Sequence, residues 1–98
     1  MKKINLDNYG PIISDKEIGK IIFDLISDQL KVGEKVIINM ESIKSMATFC
    51  AKQIFGKLYI TLGAAEFFER IELSNVTDDV KIIIKIGIQN AIEENTSR

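Results

Sequence analysis

The chain has 98 residues, with 13 Lys and Arg against 14 Asp and Glu, no His and a single Cys. Without histidine, His-based catalytic triads, HExxH zinc sites and His-containing zinc fingers are excluded, and one cysteine forms neither an internal disulfide nor a Cys-rich metal cluster. A net charge of -1 provides no basic field for a phosphate backbone, which argues against a nucleic acid partner. We expect no metal and no cofactor.

The composition also bears on location and domain number. The N-terminal sequence MKKINLDNYG lacks the apolar run of a signal peptide, and no stretch reaches the roughly 18 apolar residues of a membrane span. A lone thiol is typical of a reducing compartment. We therefore expect a cytoplasmic protein without membrane association. A single domain is predicted over residues 1–98, with a strand and turn segment at 1–13 and a frayed tail at 93–98.

The first predicted elements are a strand, a helix and a second strand. Residues 3–6 are a short strand candidate. Ser14 and Glu17 then form the S-x-x-E pattern of a capping box, with Ser14 as the N-cap of a helix over about 15–30. Apolar residues recur along it at helical spacing, namely Ile18, Ile21, Ile22, Leu25 and Ile26. The β-branched run KVIINM at 35–40 predicts a buried strand.

A second helix is predicted from Thr48 to Leu62, with Thr48 at the N-cap position. One face of this helix carries a core stripe formed by Ala51, Ile54, Phe55, Leu58 and Leu62. Phe49, Gly56 and Ile60 lie opposite that stripe, and Cys50 falls on its flank. A short amphipathic turn at 64–68 then leads to a half-exposed strand at 70–74.

The last segment fits two patterns. Thr77, Asp78 and Asp79 are typical of an N-cap followed by an acidic first helical turn. Alternating apolar residues from Val80 to Ile88 also fit a strand. We favour the helix because no turn residue interrupts the run, and its core face is then Val80, Ile83, Ile84, Gly87, Ile88 and Ala91. Ile82 and Ile86 point outward, where either the N-terminal segment or a protein partner covers them.

The predicted elements alternate as strand, helix, strand, helix, strand and helix. This order predicts an α/β fold, with a small sheet of about three to four strands and helices packed against it. The central strand, 35–40, is expected to be buried on both faces.

Three local patterns are weak candidates for chemistry. The pair Gly56-Lys57 lies within a helix and not between a strand and a helix N-terminus, so it does not form a phosphate loop. Cys50 lies in a first helical turn, where the helix dipole lowers a thiol pKa, but without a His base a semi-buried structural role is favoured. Asp78 and Asp79 are explained by capping. We assign no catalytic residue and expect no enzymatic activity.

Thr48 is the better candidate for a functional role. A hydroxyl at a helix N-terminus after a strand and loop is accessible, and a phosphate placed there meets free N–H groups and the positive end of the helix dipole. Thr48 is therefore a candidate phosphorylation site. A plain N-cap accounts for the same residue without any further role.

Residues 36–62 resemble the core of the STAS domain, the fold of bacterial anti-sigma-factor antagonists. There an apolar strand, a loop and a phosphorylatable Ser at the start of a helix follow in order, and Thr48 falls on that Ser. The chain is more similar to the STAS-like family of unknown function over about residues 18–92. The matching positions are Thr48-Phe49, Gly56-Lys57-Leu58, Leu62-Gly63, Phe67 or Phe68, and Asn75. The sequence departs from these patterns in two places. Ala47-Thr48-Phe49-Cys50 stands where the antagonists carry Asp-Ser-Gly-Leu, so the acidic neighbour and the flexible glycine are missing, and Asn39-Met40 replaces Asp-Phe.

The resemblance implies a non-enzymatic module with a STAS-like fold that docks onto a histidine-kinase-like ATPase or an anti-sigma factor. The helical wheel indicates where contact would occur, at Phe49, Cys50, Gly56 and Ile60. Phosphorylation of Thr48 would then oppose binding by placing charge in an apolar interface. Two alternatives stay open, a small-ligand or nucleotide-binding domain, and a constitutive homodimer formed through Ile82 and Ile86.

Overall fold

Strands and helices are interspersed along the chain, but they do not alternate strictly as predicted. Two additional short strands, Ile12–Ile13 and Ser45–Met46, are present, and Ala64–Arg70 is a helix where only a turn was predicted. The computed structural model describes residues 2–96. The strands are β1 (Lys2–Asn5), β2 (Ile12–Ile13), β3 (Val36–Asn39), β4 (Ser45–Met46) and β5 (Ile71–Ser74). The helices are α1 (Lys16–Lys31), α3 (Ala64–Arg70) and α4 (Asp78–Thr96), together with the continuous helix α2, which consists of an α-helical turn (Thr48–Ala51), a π-helical segment (Lys52–Gly56) and an α-helical segment (Lys57–Leu62).

The predicted fold class is confirmed. β1, β3 and β5 form a parallel sheet in that order, with Ile4 beside Ile38 and Ile38 beside Leu73. β2 and β4 form a separate two-stranded parallel ladder, which the sequence patterns do not indicate. β3 is central, and its Val36 and Ile38 are fully buried. The three strands of the sheet end at the same edge, so the segments that follow them meet there.

The first helix begins one residue later than the capping box predicts. Asp15 is the N-cap, and its Oδ1 accepts hydrogen bonds from Glu17 N at 2.7 Å and Ile18 N at 3.4 Å. The prediction that Ser14 caps this helix is therefore wrong. A carboxylate at this position satisfies two free N–H groups and also interacts favourably with the helix dipole.

The segment with two patterns is helical. Thr77 Oγ1 accepts a hydrogen bond from Val80 N at 3.2 Å, as an N-cap does. Val80, Ile84, Gly87 and Ala91 are buried, in agreement with the predicted core face. The helix continues to Thr96. The frayed tail predicted from residue 93 onward stays a prediction, and residues 97 and 98 lie outside the described residues.

Helices α2 and α4 cross at a very short distance. A Cβ atom built on Gly87 would lie 2.6 Å from Lys52 N, and one built on Gly56 would lie 2.8 Å from Ala91 Cβ. On another side of α2, Gln53 Nε2 donates a hydrogen bond to Lys16 O of α1 at 3.0 Å. Helix α2 therefore packs against α1 and α4 as well as over the core, and this arrangement determines which of its residues reach the surface.

Candidate docking groove at the start of helix α2

Thr48 lies at the surface as the first residue of α2. The N-cap is Ala47, whose N–H donates to Ile13 O at 2.8 Å and so fixes the start of the helix to strand β2. The prediction of Thr48 as the N-cap is wrong by one residue. Because Ala47 has no side-chain acceptor, no side chain caps the first N–H groups of α2. Thr48 is an exposed residue in this first turn.

Phe49 and Ile60 line one groove with a volume of about 480 Å³. Its lining comes from three helices: Lys16 of α1; Phe49, Lys52, Gln53, Lys57 and Ile60 of α2; and Ala91, Glu94 and Asn95 of α4. Phe49 is 53% exposed and Ile60 is 37% exposed. We call this surface the Phe49 groove. Two of the four residues predicted to bind a partner thus share one concave surface.

The charge of the Phe49 groove is positive. Its lining holds three lysines and one glutamate. Lys52 Nζ forms an ion pair with the Glu94 carboxylate across the α2–α4 crossing. Lys57 Nζ lies 4.6 Å from the centroid of the Phe23 ring, a cation–π contact that holds it above α1. Lys16, at the first turn of α1, adds a third ammonium group to the rim.

The other two predicted contact residues are buried, and the prediction that they reach the surface is wrong. Cys50 is fully buried, and its Sγ donates to Asp15 O at 3.6 Å. Burial, together with the negative charge of Asp15, raises the pKa of the Cys50 thiol above its ordinary value, the reverse of the lowering expected from the helix dipole. Gly56 packs against Gly87 and Ala91. A helical wheel with one buried face predicts that residues outside that face are exposed. That prediction is wrong for Cys50 and Gly56 because α1 and α4 also pack against α2.

A family model described as a STAS-like domain of unknown function (DUF4325) matches residues 19–81. The chain belongs to this STAS-like family. The matched range includes Thr48, Phe49 and Ile60 and stops before Ile82. Comparisons with curated proteins and with solved structures gave no match.

Ile82 and Ile86 lie on the outer side of α4 of the STAS-like domain, away from the Phe49 groove. Their side chains are 56% and 44% exposed. The predicted alternative in which the N-terminal segment covers them is therefore wrong. That segment is occupied elsewhere, because β1 pairs with β3 in the sheet. A contact with a second copy through these two residues stays a prediction.

A pair of asparagines joins the ends of two strands, which sequence patterns did not indicate. Asn39 is buried at the end of β3, and its Oδ1 accepts hydrogen bonds from Asn75 Nδ2 at 2.9 Å and Glu41 N at 3.2 Å. Asn75 follows β5 and has a φ of 56°, a conformation that Asn adopts more readily than most residues. The bond links the segment after β5 to the loop that leads to Thr48. A polar residue at the end of an apolar strand was the available signal.

The described residues contain neither a candidate metal site nor a candidate membrane span. In the part of the chain that the structure describes, no group of three or more Cys, Asp and Glu side chains is placed to hold a metal ion. Among residues 2–96, no helix has the length and apolar character needed to cross a membrane.

Proposed function

We propose that this STAS-like domain is a non-enzymatic interaction module that docks a protein partner over the Phe49 groove. The observation that carries the proposal is the exposed Phe49 ring beside Ile60 in one groove, directly next to Thr48. Aromatic side chains that fill a pocket at the centre of an interface contribute a large share of binding energy. The buried Cys50 thiol with its raised pKa is a poor nucleophile, which supports a binding role.

The charge of the groove selects the chemistry of the partner. Its lysines favour a segment that carries carboxylates around an apolar anchor, because complementary charge raises the association rate and excludes wrong partners. Family resemblance suggests a histidine-kinase-like ATPase or an anti-sigma factor, in the cytoplasm. Such a partner would place an apolar side chain against Phe49 and Ile60 and its carboxylates against Lys16 and Lys57.

Thr48 gives the module a means of regulation. A phosphate on its hydroxyl would add about two negative charges. The uncapped N–H groups at the start of α2 would hold that phosphate beside Phe49. There it would repel an acidic partner and hydrate the apolar anchor. We therefore propose that phosphorylation of Thr48 releases the partner.

A small anionic ligand is the second candidate for this groove. Its volume of about 480 Å³ lies within the range of small-molecule sites, about 300–1,000 Å³. An aromatic ring beside several lysines suits a planar, negatively charged compound such as a nucleotide. A thermal-shift series with nucleotides tests this candidate, since a ligand that binds only the folded state raises Tm. A rise in Tm that Phe49→Ala abolishes would favour the ligand over the protein partner.

The docking proposal is tested by measuring the affinity of the purified domain for an anti-sigma factor and a histidine-kinase-like ATPase from the same organism. Phe49→Ala and Thr48→Glu are each expected to weaken binding at least about tenfold. Thr48→Val, which removes the hydroxyl without adding charge, and Ile21→Ala, which removes an exposed apolar side chain of α1, should leave affinity unchanged. Unchanged affinity for Phe49→Ala contradicts docking in the groove, and unchanged affinity for Thr48→Glu contradicts the regulation.

A further inference from the structure

A second groove lies between α2, α3 and α4, and it shares no residue with the Phe49 groove. Its volume is about 470 Å³. Its apolar lining consists of Tyr59, Phe67, Phe68, Leu73, Ile84, Ile88 and Ile92. Its polar lining consists of Lys81, Lys85 and Gln89. We call this surface the aromatic groove.

Three aromatic rings form one wall of the aromatic groove in mutual edge-to-face contact. The ring centroids of Tyr59 and Phe67 are 5.4 Å apart, those of Phe67 and Phe68 are 5.4 Å apart, and those of Tyr59 and Phe68 are 6.1 Å apart. Phe67 is buried, and its packing fixes the position of the cluster. Phe68, the next residue of α3, is 69% exposed. The fold thus keeps the Phe68 ring exposed to water but ordered by its neighbours. A partner that covers this ring gains the free energy of burying it and does not have to offset the entropy cost of ordering it.

The charges along the opposite wall have one sign. Lys81 and Lys85 are one helical turn apart on α4, so both ammonium groups project on the same side. Among residues 2–96 neither lysine forms an ion pair with an acidic side chain. No Asp or Glu lines this groove. The surface therefore combines an apolar centre with an uncompensated positive rim.

We propose that the aromatic groove binds an acidic amphipathic helix of a protein partner. All of its lining residues except Leu73 of β5 lie on helices, a setting in which an added helix places apolar residues spaced i and i+4 into the groove. These residues would contact Phe68 and Ile88, and carboxylates on one flank of the added helix would pair with Lys81 and Lys85. The site is independent of the Phe49 groove, so the domain would hold two partner segments at once.

The test uses a displayed library of random 16-residue peptides selected on the full-length domain, followed by fluorescence anisotropy of the enriched peptides. We expect enriched peptides to carry several Glu or Asp residues and apolar residues at helical spacing. Their affinity should fall at least about tenfold with Phe68→Ser and with the double variant Lys81→Glu/Lys85→Glu, and raising the salt concentration should weaken binding. Phe49→Ala is the matched control, because it removes an exposed aromatic ring from the other groove.

Several outcomes overturn this proposal without affecting the proposed function. Failure to enrich any peptide, enrichment of peptides without carboxylates, or equal affinity for the domain and its Phe68→Ser variant would each refute it. Loss of peptide binding with Phe49→Ala alone would assign the peptides to the Phe49 groove, which would refute this inference and support the first docking site. Lys81 and Lys85 are exposed, so their substitution should leave Tm unchanged. Phe68→Ser also removes two edge-to-face ring contacts and should lower Tm slightly, so affinities are compared at a temperature where circular dichroism shows every variant to be folded.

Discussion

Gly87 at the α2–α4 crossing provides the sharpest test of the packing that shapes the Phe49 groove. A Cβ atom at this position would lie 2.6 Å from Lys52 N and 2.7 Å from both the carbonyl carbon and the Cβ of Ala51. These atoms belong to the backbone and to a Cβ, so no side-chain rotation relieves the overlap. Gly87→Ala must push the two helices apart.

The size of the effect follows from two opposed contributions. In an exposed helix interior, replacing Gly by Ala stabilises a protein by about 1 kcal/mol. Overpacking a closely packed site costs about 1–3 kcal/mol, and a backbone overlap belongs at the upper end of that range. The net loss expected is about 1–2 kcal/mol of unfolding free energy. For a domain of this size, that corresponds to a fall in Tm of about 4–16 °C.

Thermal unfolding monitored by circular dichroism measures this difference. Asn90→Ala, on an exposed position of the same helix, is the control and should leave Tm unchanged or slightly raised, because Ala has the higher helix propensity. If Gly87→Ala unfolds at the same temperature as the unaltered domain or at a higher one, the close helix crossing is refuted.

Three further predictions concern single contacts. Burial raises the pKa of the Cys50 thiol above its ordinary value of 9.0, so at high pH the folded state retains a proton that the unfolded state loses. The free energy of unfolding should therefore decline as the pH rises above about 9. Urea titrations over this pH range should show a shallower decline for Cys50→Ala. Asn39→Ala leaves Asn75 Nδ2 and Glu41 N without their acceptor and should cost about 1–3 kcal/mol, whereas Asn75→Ala should cost less, with chemical denaturation as the measurement. Thr77→Ala removes the cap of α4 and should cost about 0.5–2 kcal/mol, while Thr77→Ser should restore most of the loss; equal stability of the two variants would contradict the capping role.

Much of the fold was predictable because it depends on local patterns. The positions of the three long helices and of β3 and β5, and the outward direction of Ile82 and Ile86, follow from hydrophobic spacing. The apolar pattern of residues 80–88 fits a strand or a helix equally well, and the N-cap pattern at Thr77 decides in favour of the helix. The shift of the first cap from Ser14 to Asp15 lies within the usual uncertainty of helix ends.

The groove was only partly predictable because it depends on contacts between distant segments. Phe49 and Ile60 are brought together by their own helix, but Lys16 and Ala91 reach the groove only through the packing of α1 and α4. The burial of Cys50 has the same origin, since its thiol contacts Asp15 O, which lies far away in sequence. A helical wheel describes one helix and one buried side, and therefore cannot show how many neighbours cover it.

The most direct test of the central claim is an NMR titration of the isotope-labelled domain with a purified partner, before and after phosphorylation of Thr48. We predict that the partner shifts the amide resonances of Lys16, Phe49 and Ile60, and that the phosphorylated domain shows no such shifts at the same concentrations. Shifts confined to surfaces outside the Phe49 groove, or an identical footprint with phosphate on Thr48, would contradict the account.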